Sequence, residues 1–240
     1  MIRIICPRDP TIRCVERQAR KLDRRLQDLS RVYVVMPTDE SKFKCHRLIR
    51  EWNNADLIVF MGHGRSDALF GSRGKNYDAA GADDCEDKKT EDYYHDEHFL
   101  DQTNYGLLSG KRFVCFACDS DLLANRLVES GAVSVLGVGK MPTSLEEFNR
   151  DLPKIQPVKT SMIACINGAL NVAFRDAVID AARINGNMGD IAVFLKMELR
   201  RQISLLLHSK AVYRFSLTSV LYGVADSVVV VGDKTVSVLG

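Results

Sequence analysis

One imidazole and one thiol stand out as residues that can do chemistry. His63 lies in Gly62-His63-Gly64, and Cys118 lies in Ala117-Cys118-Asp119-Ser120. A free thiol is only a few per cent thiolate at neutral pH. A nucleophilic cysteine therefore needs an imidazole that takes its proton and later protonates a leaving amine. Each motif directly follows an apolar run, residues 55–61 before the histidine and 113–117 before the cysteine. If both runs are parallel strands, His63 and Cys118 stand at their carboxyl ends, where ligands bind in open α/β sheets. The glycines beside His63 let a substrate backbone approach closely and leave the Gly64 N–H for a developing oxyanion. Cys115 and Cys165 lie within apolar segments and read as core residues.

Positioning such a pair requires a parallel sheet, and the chain is patterned for one. Continuous apolar runs with β-branched content predict strands at 2–6, 32–35, 55–61, 113–117 and 133–138. Between them, residues 11–29 carry Ile12, Val15, Ala19, Leu22 and Leu26 at helical spacing, with Thr11 as N-cap. A second helix starts at Ser41, a third spans 97–108, and a fourth spans 121–130 with Gly131 as its C-cap. Ser144 caps a short helix, and two long helices follow at 161–184 and 189–208. The end reads as β-rich, with strands at 212–220, 228–231 and 235–239, some of them antiparallel. Apolar strands separated by amphipathic helices indicate a mostly parallel open sheet flanked by helices on both faces. The expectation is one α/β domain over residues 1–240. Residues 62–91 break the pattern, and the acidic stretch at about 71–95 is expected to be a mobile loop.

The two motifs together resemble a known family. Val59-Phe60-Met61-Gly62-His63-Gly64 is similar to the histidine motif of the caspase-like clan, closest to its CHAT branch. Val114-Cys115-Phe116-Ala117-Cys118-Asp119-Ser120 is similar to that branch's strand-Ala-Cys motif. Gly131-Ala132-Val133-Ser134-Val135-Leu136-Gly137 resembles its Gly-Ala strand. Val220-Leu221-Tyr222-Gly223 resembles its closing element, with Val224-Ala225 where an Asp-Pro is usual. His63 and Cys118 are 55 positions apart, near the roughly 50 found in caspases. The caspase Gln-Ala-Cys-x-Gly signature is absent, Phe116 replacing the Gln and Ser120 the Gly, which argues against a true caspase. The resemblance implies a caspase-like fold and a cysteine endopeptidase. His63 would be base and acid, Cys118 the nucleophile, and the backbone N–H groups of Gly64 and Cys118 the oxyanion hole. It implies no metal or organic cofactor, and a protein or peptide substrate. It also implies a defence or cell-death effector governed by a regulatory or sensor protein on another chain. Clan members differ in taking Asp, or Arg and Lys, before the cut. Asp119, Glu146 and Glu147 near the site, with the acidic segment leaving the histidine motif, point to Arg or Lys; Arg65 and Lys140 oppose that reading.

Composition narrows the alternatives. The chain has 240 residues, is 46% hydrophobic and carries a formal charge of +2. That excludes general disorder, and seven scattered cysteines, an odd number, exclude a disulfide-stapled module. No uninterrupted apolar run reaches the roughly 18 residues of a membrane span, and the first residues do not form a signal peptide. The expectation is a cytoplasmic protein with reduced thiols and no membrane partner. Residues 78–101 hold ten acids and two bases. Arg13, Arg17, Arg20, Lys21, Arg24, Arg25 and Arg31 cluster early, and read as a solvated helix face rather than a nucleic-acid surface. Cys85, His95 and His98 supply one close pair where structural zinc takes four ligands. Asp83, Asp84, Glu86 and Asp87 could attract calcium, but read better as a solvated loop. A nucleotide-binding module would need a glycine-rich loop after the first strand, where Pro7-Arg8-Asp9-Pro10 stands instead. The remaining alternative is a catalytically inactive caspase-like adaptor.

Overall fold

The computed structural model describes residues 1–8, 13–36, 38–71, 98–141, 160–211 and 213–240. Its centre is a six-stranded sheet. Strands β1 (Ile2–Pro7), β2 (Ser30–Val35), β3 (Leu57–Met61), β7 (Arg112–Phe116), β8 (Ser134–Gly137) and β9 (Val229–Gly232) lie in the order β2-β1-β3-β7-β8-β9. Every pairing is parallel except β8 with β9. A smaller antiparallel sheet, β4 (Gly64–Arg65), β5 (Ala68–Phe70) and β6 (His98–Leu100), grows out of the segment after His63. The fold is α/β, with a mixed, mostly parallel sheet and flanking helices.

Alternation along the strands separates two cores. Leu57, Val59 and Met61 of β3, with Val114 and Phe116 of β7, pack into one core. Helices α1 (Arg13–Leu26), α4 (Thr160–Arg183), α5 (Met188–His208) and α6 (Arg214–Ser227) cover it. Ile58, Phe60, Phe113 and Cys115 point the other way, into a core closed by α2 (Asp39–Glu51) and α3 (Ser120–Glu129). In α1, Val15, Ala19, Leu22 and Leu26 face inward. Between Cys14 and Leu26 the exposed residues are Arg17, Arg20, Lys21, Arg24 and Arg25, all basic. The one charge within β3's predicted span, Asp56, is 6% exposed and pairs with Arg3 at 2.9 Å. In α4, residues Ser161–Arg183 reach a mean hydropathy of 1.4, and 56% of that apolar window is buried within the molecule. By length and composition it is the one described helix that could cross a membrane.

Three predicted elements differ. Residues 212–220 do not form a strand: 214–227 are helix α6, whose Leu217, Val220, Leu221, Val224 and Ala225 repeat at helical spacing and enter the first core. Residues 235–239 form turns, with one bridge from Ser237 to Asn187. The predicted helix 97–108 is strand β6, then turns and a 3-10 segment at Tyr105–Leu108. The acidic stretch from residue 72 to 95 and the helix capped by Ser144 lie outside the described residues.

Candidate active site

His63 and Cys118 line one pocket because their strands are neighbours in register. Met61 pairs with Phe116, and Gly62 continues the ladder by donating its N–H to Phe116 O at 3.2 Å. Two residues beyond each of these partners stand His63 and Cys118. Both line a pocket on the side of Phe116, and Cys118 packs against that core. The two side chains line one small pocket with Phe116, Met141, Asn167 and Asn171. Its volume is about 20 Å³, room for about one water molecule. Phe116 stacks on Phe174 of α4, centroids 4.2 Å apart, and holds the helix over the pocket. The thiol donates to Met141 O, with sulfur and oxygen 3.0 Å apart.

The backbone around the pair is tightly set. Phe70 N–H donates to His63 O at 3.1 Å, so His63 and Phe70 form a hydrogen-bonded pair. Gly64, opposite Leu69 in the next pair, therefore turns its N–H away from β5. A Cβ at Gly64 would lie 2.8 Å from Ala117 Cβ and 3.2 Å from Cys118 O. The predicted oxyanion donor thus runs beside the nucleophile's own backbone. Cys118 occupies the turn between β7 and α3, two residues before the helix begins. The partial positive charge at that helix start favours negative charge developing nearby.

Asp119, a predicted specificity residue, sits in the left-handed region at φ 52°, ψ 22°, occupies the N-cap position of α3 without a side-chain capping bond, and is half-buried. Its N–H donates to Gly139 O at 3.3 Å. Left-handed backbone is tolerated by Asp far better than by β-branched residues. Glu146 and Glu147 lie outside the described residues, as do Cys85, His95, Asp83, Asp84, Glu86 and Asp87. Arg65 is paired with Asp67. His98 bonds Asp101 through Nδ1 at 3.0 Å. Among the described residues no group of three or more acidic, His or Cys side chains is arranged to hold a metal ion.

Three further residues shape this site, two of them within the quoted motifs but given no role there. Ser120, fully buried, donates from Oγ toward Cys115 O (2.9 Å) and accepts from Val138 N–H (2.9 Å), tying the nucleophile turn to β7 and β8. Gly137 leaves no room for a side chain, since a Cβ there would lie 2.2 Å from Ser120 O. Asn171 of α4 is 3% exposed and lines the pocket. The signals for the first two were present, a small hydroxyl after the cysteine and a glycine ending the next strand. An asparagine inside an apolar helix carries no comparable signal. No protein-family model matches the chain, and no curated protein or solved structure matches it significantly.

Proposed function

We propose that the chain is a cysteine endopeptidase of the caspase-like clan, nearest to its CHAT branch, acting through a Cys118–His63 dyad. The observation that carries this reading is the placement of the imidazole and the thiol. They stand just beyond the carboxyl ends of adjacent parallel strands and line one pocket.

The chemistry follows from that placement. His63 takes the Cys118 proton, and the sulfur attacks the scissile carbonyl carbon. The oxyanion forms against the Gly64 and Cys118 N–H groups. His63 returns the proton to the departing amine, leaving a thioester on Cys118. Water, deprotonated by His63, then attacks the thioester and releases the acid, and the proton ends on the thiol. The cycle needs no cofactor. The substrate is a protein or peptide cut after Arg or Lys, with Asp119, Glu146 and Glu147 as specificity residues. The setting is a cytoplasmic defence or cell-death response in which a sensor on another chain governs the enzyme.

A positional-scanning fluorogenic peptide library tests the reading. Turnover that favours Arg or Lys and disappears in both Cys118→Ala and His63→Ala, with melting temperature unchanged, supports it. Activity that survives Cys118→Ala overturns the dyad. A preference for Asp or an apolar residue overturns the specificity while leaving the dyad in place. A folded protein inert toward every peptide and toward thiol-directed peptide probes is the inactive adaptor instead.

A further inference from the structure

We propose that the hairpin tip between α5 and α6 docks on an anionic phospholipid bilayer. Leu205, Leu207 and Phe215 enter the lipid interface, and Arg200, Lys210 and Arg214 meet its phosphates. The inference stands apart from the Cys118–His63 reading. It replaces the sequence-based expectation of no membrane partner, which rested on the lack of an uninterrupted spanning run; a surface contact needs none.

The tip is anchored from beneath. Ile203 and Leu217 are buried in the first core, and Leu206 and Tyr213 pack against it. The Tyr213 hydroxyl lies 3.3 Å from Ser161 Oγ of α4. The link between the helices is short, with Ser209 N–H donating to Leu206 O and Arg214 N–H to Ala211 O. On this fixed base Leu205 is 56% exposed, Leu207 42% and Phe215 65%. Leu205 and Leu207 are two residues apart, so they project about 200° apart around the α5 axis. The last turn of α5 is therefore apolar on both flanks as well as on its buried side, where a solvated helix surface is ordinarily polar. A protein partner with one flat face reaches one flank of such a tip, whereas a fluid interface closes round both.

Charge selects the kind of interface. Residues 199–225 hold Arg200, Arg201, Lys210 and Arg214 and not one Asp or Glu, in a chain with 31 acids. Arg201 is paired with Glu198 and Asp176. Arg200, Lys210 and Arg214 form no ion pair among the described residues. The Arg214 guanidinium lies over the Phe215 ring, 4.8 Å from its centroid, so a cation and an apolar ring share one spot. Long basic side chains lay their stems on apolar surface and keep their charge at the level of the phosphates. Apolar insertion joined to attraction for anionic headgroups is how surface-bound helices hold a membrane. The five exposed bases of α1 lack the first half of that pair, since no apolar side chain is exposed between Cys14 and Leu26.

Flotation of the intact chain with phosphatidylcholine vesicles, and with mixed phosphatidylcholine–phosphatidylserine vesicles, tests the proposal at low and moderate salt. Binding should favour the mixed vesicles and weaken as salt rises. Leu205→Ser, Leu207→Ser and Phe215→Ser together should weaken it at least about tenfold through lost apolar burial, with melting temperature unchanged. If the triple variant melts early, Phe215→Ser alone gives the same reading at smaller amplitude. Lys210→Gln with Arg214→Gln should weaken binding about tenfold and remove most of the preference for phosphatidylserine. Arg17→Gln, Lys21→Gln and Arg24→Gln should leave most of the binding in place. A folded chain that floats with neither vesicle overturns the proposal. So does equal binding to both vesicles, or binding that follows the α1 variant and ignores the tip variants. A dimer in solution that the triple variant dissolves, without vesicle binding, assigns the tip to a second copy of the chain instead.

Discussion

At Gly64 a single methyl group separates an oxyanion donor from a blocked one. Placed 2.8 Å from Ala117 Cβ, it must push the Gly64 backbone away from Cys118. Gly64→Ala should lower kcat/KM about 10²- to 10³-fold, the cost of losing one such donor, with the fold retained. Steady-state kinetics beside a thermal melt separates the two effects. His46 is a different kind of residue, buried in the second core with Nε2 at 2.7 Å from Phe99 O. Burial lowers its pKa below the ordinary 6.5, against the opposing pull of the Phe99 carbonyl. The unfolded chain therefore binds the proton more readily than the folded one. Stability from the neutral ring is full above about pH 6.5 and is lost as pH falls from there through the lower folded value. His46→Gln should make melting temperature fall less steeply between pH 7 and 5; an unchanged slope would assign the acid sensitivity elsewhere. Residue by residue, the shared pocket of His63 and Cys118 was legible because both motifs follow apolar runs that became neighbouring strands. Asn171 was not, since its meaning depends on which strands lie beneath α4.

The element that matters most is the turn from β7 into α3. The Ser120 hydroxyl braces it from within, and the absence of a Gly137 side chain gives it room. Ser120→Ala leaves the Cys115 carbonyl and Val138 N–H without that partner and should cost about 1–3 kcal/mol. Gly137→Ala meets backbone rather than a yielding side chain, so it should lower both melting temperature and Cys118 reactivity. Full stability and full reactivity in Gly137→Ala would show that the turn is not fixed by β8. At this scale the sequence was clearest for the central strands and for α1, α3, α4 and α5, whose apolar spacing suits a single partner surface. The exit from α3 was legible too: Gly131, at φ 104°, lets its own N–H and that of Ala132 close back on Val128 O and Leu127 O. It was least clear in the last thirty residues. Valine, tyrosine and threonine gave 212–220 a strand's composition, but burial against α5 and the sheet selected the helical period. Both β8 and β9 could be anticipated as strands, but not their antiparallel pairing with each other. Residues 97–108 failed differently, because β6 is only three residues long and gains its pairing from β5.

Across the whole molecule, charge and thiols are unevenly distributed. The exposed residues of α1 form a basic face, while acids concentrate in residues 78–101, after the histidine motif. Seven cysteines make the protein its own control for reactivity. Burial pushes the Cys6 and Cys45 thiols up to about 12 and that of Cys115 higher still, and it raises Cys165 as well. Such thiols stay protonated and unreactive at neutral pH. Cys118 is half-buried, opens to a pocket and shares it with an imidazole. The most direct measurement is mass-spectrometric mapping of an electrophilic peptide probe on the intact chain at neutral pH, repeated with His63→Ala. The account predicts that Cys118 takes the label first among the seven and loses most of that advantage without His63. Labelling that favours another cysteine, or Cys118 labelling indifferent to His63→Ala, would contradict it.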